Sequence, residues 1–104
     1  MAAEPQLRVG DDGRVALRGA LGFAEVPGLV SAAAGLFDGR GELTLDLAGV
    51  GRGDSAGVAL LLEWRRAARR AGCELHYRNL PESLLAIARV CGVDTLLPLD
   101  GAAG

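Results

Sequence analysis

At 104 residues the chain has the length of about one domain, and half of it is Ala, Gly or Leu; 50% hydrophobic and 23% charged residues make a globular composition and exclude a disordered one. All eleven basic residues are Arg, against thirteen acids, so the net charge of −2 gives no general attraction to phosphate backbones. The absence of Lys excludes both a Walker A lysine and a Schiff-base lysine. Phe23, Phe37, Trp64 and Tyr77 are the only aromatic residues, which predicts an aliphatic core and argues against stacking of nucleic-acid bases. Cys73 and Cys91 stand alone and read as free thiols of a reducing compartment. The opening MAAEPQLRV carries no secretory pattern, and no apolar run approaches the ~18 residues of a membrane span. The expectation is one cytoplasmic domain over 1–104, with a core over about 7–99, a flexible tail at 100–104 and no membrane insertion.

Turn signals then divide the chain. Asp11-Asp12-Gly13 separates two apolar alternations, Leu7–Val9 and Arg14–Arg18, and predicts a β-hairpin. A helix is expected from about Pro27, with Val26, Leu29, Val30, Ala33 and Phe37 at helical spacing and Gly39 just past its end. Leu43–Leu47 alternates leucine with Thr44 and Asp46 and reads as a strand. A glycine-rich loop, 49–53, is expected next, followed by a helix capped by Asp54 or Ser55 and running to about Ala71. Its predicted apolar stripe is Leu60, Leu61, Trp64, Ala67, Ala68 and Ala71, and Gly72 supplies its stop. A strand over Glu74–Arg78 is followed by Leu80-Pro81-Glu82, which opens a third helix through about Cys91, with Leu84, Ile87, Ala88 and Cys91 inward and Gly92 ending it. Thr95–Leu99 reads as a last short strand. The order β-β-α-β-α-β-α-β implies an α/β domain with a mixed sheet, its strands parallel from Leu43 onward.

The stretch from Gly49 to Gly57 holds the candidate chemistry. It lies at the carboxyl end of the clearest strand and at the amino end of the longest helix, where open α/β sheets place ligand sites. Ser55 there presents a hydroxyl in a field that favours negative charge, opposed by Asp54. Sharper motifs fail: no Gly-Lys completes a P-loop, and Asp54 and Ala56 stand where a dinucleotide fingerprint needs glycine. Arg52-Gly53-Asp54 matches an adhesion tripeptide that chance supplies often. Ser55, His76 and an Asp form a triad only on paper, and no cysteine or histidine cluster has metal-ligand spacing. The plain alternative for Asp54 and Ser55 is an N-cap. On the same helix Val58 and Leu62 are read as lying off the core stripe, beside Glu63, Arg65, Arg66 and Arg69, either as a half-buried rim or as a docking face.

Leu43-Thr-Leu-Asp-Leu47, a short connection and then Asp54-Ser-Ala-Gly-Val-Ala-Leu-Leu-Leu62 resemble the core signature of STAS domains, over about Asp11 to Pro98. Within that family the helix looks most like the STAS subunit of the bacterial phospholipid-transport ABC complex that maintains outer-membrane lipid asymmetry. The resemblance implies a non-catalytic, cofactor-free and metal-free subunit, cytoplasmic and peripheral to the inner membrane through its complex. Its implied partner is the ABC-transporter ATPase subunit, in complex with a membrane permease, and no nucleic acid. Arg52, Asp54, Ser55, Val58 and Leu62 are the partner-binding residues it suggests. One departure is Gly53, where the family usually has an aliphatic residue; it predicts a looser turn. The alternative within the family is an anti-sigma-factor antagonist, with Ser55 the phosphorylated serine. A small enzyme using His76 or Cys91 is the third reading, and it lacks a constellation.

Overall fold

The structure, a computed structural model, describes residues 6–10 and 14–99. The hairpin turn at Asp11–Gly13 and the tail at 100–104 lie outside them. Strands β1 (Gln6–Val9), β2 (Arg14–Leu21), β3 (Glu42–Gly53) and β4 (Glu74–Arg78) form one sheet in the order β1-β2-β3-β4. β1 and β2 are antiparallel, whereas β2–β3 and β3–β4 are parallel, so the sheet is mixed as expected. Helices α1 (Val26–Ala32), α2 (Ser55–Arg70) and α3 (Glu82–Val90) complete the fold.

Period-two alternation decides which sheet face is covered. Val15, Leu17, Leu43, Leu45, Leu75 and Tyr77 point into one core with Leu61, Trp64, Leu84 and Ala88 of the helices. The opposite face carries Arg14, Ala16, Arg18, Thr44, Asp46, His76 and Arg78, none of them buried. Tyr77 brings a polar tip into the core; its hydroxyl donates to the Leu61 carbonyl at 2.6 Å, and burial pushes the phenol well above its usual range.

Four expectations are corrected. The first is the glycine-rich loop, which is strand: β3 runs on through Gly53 and pairs with β2 from Arg18↔Gly49 to Leu21↔Gly53. A register shift between Ala16 and Arg18 admits one extra residue of β3, so the buried series Leu43, Leu45, Leu47 resumes at Val50. Gly49 is required at the crossing, where a Cβ would lie 2.8 Å from Arg18 Cγ and 3.2 Å from the Leu17 carbonyl oxygen. Second, α1 ends at Ala32. Beyond it Leu36, Asp38 and Arg40 donate to carbonyls three residues back, a run of tight turns around Gly35 and Gly39 in the left-handed region, yet Phe37 still reaches the core. Third, Cys91 is exposed. Fourth, Thr95–Leu99 is no strand. A 3-10 turn, Asp94–Leu96, is followed by a single bridge from Leu99 to Tyr77.

The stops of α2 and α3 are as expected. Gly72 and Gly92 adopt positive φ, and Cys73 and Val93 donate back to Ala68 and Ala88, closing α2 and α3 alike.

Candidate functional site

Asp54 joins β3 to α2 and resolves the choice of cap. Its extended backbone precedes the helix, and its Oδ1 accepts the Ala56 N–H at 2.8 Å. The other oxygen, Oδ2, accepts the Phe23 N–H at 3.0 Å, which ties the turn after β2 to the start of α2. That bond to Phe23 foremost, with those of the Ala56 and Gly57 amides, holds the exposed Asp54 carboxyl below its usual range against a desolvation penalty. Glu25 repeats the pattern one turn away, accepting the Gly22 N–H at 3.0 Å.

The turn is tight, which corrects the expectation drawn from Gly53. A Cβ on Gly53 would lie 2.5 Å from the Leu21 carbonyl oxygen and 2.6 Å from Leu84 Cδ2. One on Gly57 would collide with the same carbonyl oxygen, and one on Gly22 would come within 2.9 Å of Asp54 Oδ2. Gly53 and Gly57 therefore let the end of β2, the end of β3 and the first turn of α2 meet backbone to backbone, and Gly22 leaves room for the Asp54 carboxylate.

Ser55, freed from capping, is the first residue of α2 and is exposed, as is Arg52. Arg52 and Asp54 line a shallow cleft with Gly22, Phe23 and Glu25. Beside it an open apolar groove runs between α1 and α2, walled by Phe23, Val26, Pro27, Val30, Ala56 and Ala59. Phe23 is 80% exposed and Val30 52%. Neither figured among the candidate site residues, and Val30, expected on the apolar period of the first helix, faces out instead. Phe23 follows a strand and precedes a helix, outside any amphipathic period; the only signal was a large ring placed in a turn.

The structure separates Val58 from Leu62. Val58 is 3% exposed and belongs to the core, which corrects its assignment to an outer face. Leu62 is half-buried and packs on the core margin. At ~100° per residue the core stripe of α2 is wide enough to include Val58, and the outward face centres on Ser55, Ala59, Glu63 and Arg66. Glu63 pairs there with Arg70 at 3.3 Å and with Arg66 at 4.0 Å, both exposed contacts of small energetic weight. Ser55 and His76 do not meet. His76 pairs with Thr44 near the start of β3, whereas Ser55 lies beyond its other end, more than about 20 Å away at ~3.3 Å per strand residue.

A mixed four-stranded sheet with α2 opening from the end of β3 is the STAS fold, and two solved structures share it. One is the anti-sigma factor antagonist SpoIIAA in its unphosphorylated form (TM-score 0.70, 16% identity, covering 94% of this chain and 89% of that one). The other is an anti-sigma factor antagonist from Mycobacterium paratuberculosis (TM-score 0.72, 22% identity, covering 99% and 92%). No curated protein matches the chain. The family model described as "Mlab, STAS domain" matches residues 7–98, and the chain belongs to that family: it is a STAS-domain protein, most like MlaB. STAS domains mediate protein–protein interactions. Among the described residues, no helix is long and apolar enough to cross a membrane.

Proposed function

We propose that the chain is the non-catalytic STAS subunit of a bacterial phospholipid-transport ABC complex, a single cytoplasmic domain that binds and supports an MlaF-like ATPase. The observation that carries this reading is the family match over residues 7–98. The docking surface is the end of the molecule around Asp54. Ser55 and Arg52 supply polar contacts, the Phe23–Val30–Ala59 groove supplies apolar area, and Leu62 adds a half-buried aliphatic side chain on the same helix. A central exposed aromatic ring with a polar surround has the composition of a protein interface. Val58 acts from beneath by holding α2 in place.

The test is co-purification with an MlaF-like ATPase. Ser55→Glu puts bulk and an unpaired charge into the contact and is expected to abolish capture, whereas Ser55→Ala is expected to weaken it by about 0.5–1.5 kcal/mol, one hydrogen bond's worth. Capture of Ser55→Glu at wild-type levels would refute this docking surface.

The alternative is an anti-sigma-factor antagonist with Ser55 as the phosphorylated residue. It is supported by the two structural neighbours and by the exposure of Ser55 at a helix start. A phosphate there adds about −1.5 to −2 charge beside Asp54. Phosphorylation of Ser55 by a serine kinase encoded nearby, with no capture of an ATPase, would favour this reading over the first.

A further inference from the structure

At the pole of the sheet opposite Asp54, the first residues of β3 and β4 set two carboxylates side by side. Glu42 pairs with Glu74 in the parallel register, and Thr44 pairs with His76. Because Leu43, Leu75 and Tyr77 enter the core, Glu42, Glu74 and His76 share the uncovered face. Like charges at adjacent positions of neighbouring strands repel, and a cation between them relieves the repulsion. His76 stands at that point. Its Nε2 lies 3.6 Å from Glu42 Oε2 and 3.6 Å from Glu74 Oε1, both just beyond hydrogen-bond length. Among the described residues, no hydrogen bond ties up any of these three side chains.

One ligand atom from each of the three lies within 4.8 Å of the other two. Zinc-class ions bind imidazole nitrogen and carboxylate oxygen at about 2.0–2.2 Å, so displacements of about 1 Å bring the three donors onto one ion. The β3–β4 register fixes the backbone, and rotation of two exposed glutamates suffices. We infer that Glu42, Glu74 and His76 form a binding site for a divalent transition-metal ion, with its remaining coordination positions open to water. The imidazole selects zinc-class ions over calcium or magnesium, which prefer oxygen alone. Two carboxylates neutralise the double charge that a neutral imidazole cannot. The bound ion clips the edge strand β4 to β3, far from the proposed docking surface and independent of it.

His76 is the only histidine, so its imidazole signals in a proton NMR spectrum are read without ambiguity. The experiment uses untagged protein carrying Cys91→Ser, which removes the exposed thiol as a rival ligand. Cobalt(II) titration is expected to shift and broaden the His76 signals, and zinc(II) to displace the cobalt and restore sharp lines. Glu42→Gln and Glu74→Gln, both exposed substitutions checked for folding by circular dichroism, should each raise the half-saturating metal concentration about tenfold or more. Calorimetry with zinc(II) should show a similar loss for His76→Ala. His76 signals unmoved by cobalt, or half-saturation unchanged in both glutamine variants, would overturn the site.

Discussion

Asp54 is the residue through which sequence, fold and proposed function meet. Its two oxygens serve different masters: Oδ1 caps α2 through Ala56, and Oδ2 holds the Phe23 amide of another turn. Asp54→Ala removes both acceptors and is expected to lower the urea midpoint, while Asp54→Asn keeps a cap and loses less. The pH dependence has a definite sign. The folded-state pKa is depressed, so the carboxylate's contribution is present above the ordinary value of 3.8 and is lost as pH falls through the lower folded value. Asp46 acts in the same direction, since the Asn79 side-chain amide foremost and the Ala48 N–H hold its carboxyl below the usual range. Urea midpoints at pH 7 and pH 3 should therefore converge between wild type and Asp54→Asn at the lower pH. A gap that widens on acidification would contradict this account.

α2 is the element on which core and candidate docking surface lie back to back. Leu61→Ala, at a fully buried position, is expected to cost about 2–5 kcal/mol, and Leu61→Asp to prevent folding. Val58→Ala should cost about 1–2 kcal/mol, as a core position and not a surface one. Leu62→Asp, at the margin, should leave a folded domain that fails to capture the ATPase. Equal thermal destabilisation by Leu61→Asp and Leu62→Asp would refute this division of faces. The glycines give a sharper contrast. Gly57→Ala drives a Cβ into the Leu21 carbonyl oxygen and should destabilise strongly. Gly28→Ala on α1 meets nothing within 4 Å at a negative φ, and should stabilise by about 0.4–1 kcal/mol. Thermal midpoints of the two variants should move in opposite directions.

Across the whole molecule, the sheet separates two exposed ends with different chemistry. Around Asp54, an aromatic ring and an apolar groove stand open beside polar groups. At the start of β3 and β4, carboxylates and the imidazole stand together. Phe23 tests the first end cleanly because it is 80% exposed and contributes little to packing. Phe23→Ser is expected to leave the urea midpoint within about 0.5 kcal/mol of wild type while reducing ATPase capture, as loss of an aromatic interface anchor should. Undiminished capture would move the contact off this groove.

Strand Glu74–Arg78, helix α2 and its glycine stop, and the mixed α/β order were legible in the sequence, because each rests on a local period or cap that burial reinforces. The family signature around Asp54 and Ser55 was legible for the same reason: strand alternation, cap and helical stripe follow one another without interruption. Tertiary structure decided the rest. Residues 49–53 have no strand period and weak strand propensity, yet pairing with β2 makes them the end of β3, since a parallel neighbour satisfies backbone groups that local sequence leaves open. Val58 went into the core because α1, α3, β3 and β4 all pack on α2 and leave it a wider buried stripe than its leucines alone mark. Phe23 became exposed, and Glu42, Glu74 and His76 neighbours, only when turn geometry and strand register joined residues far apart in the chain, which no local period encodes.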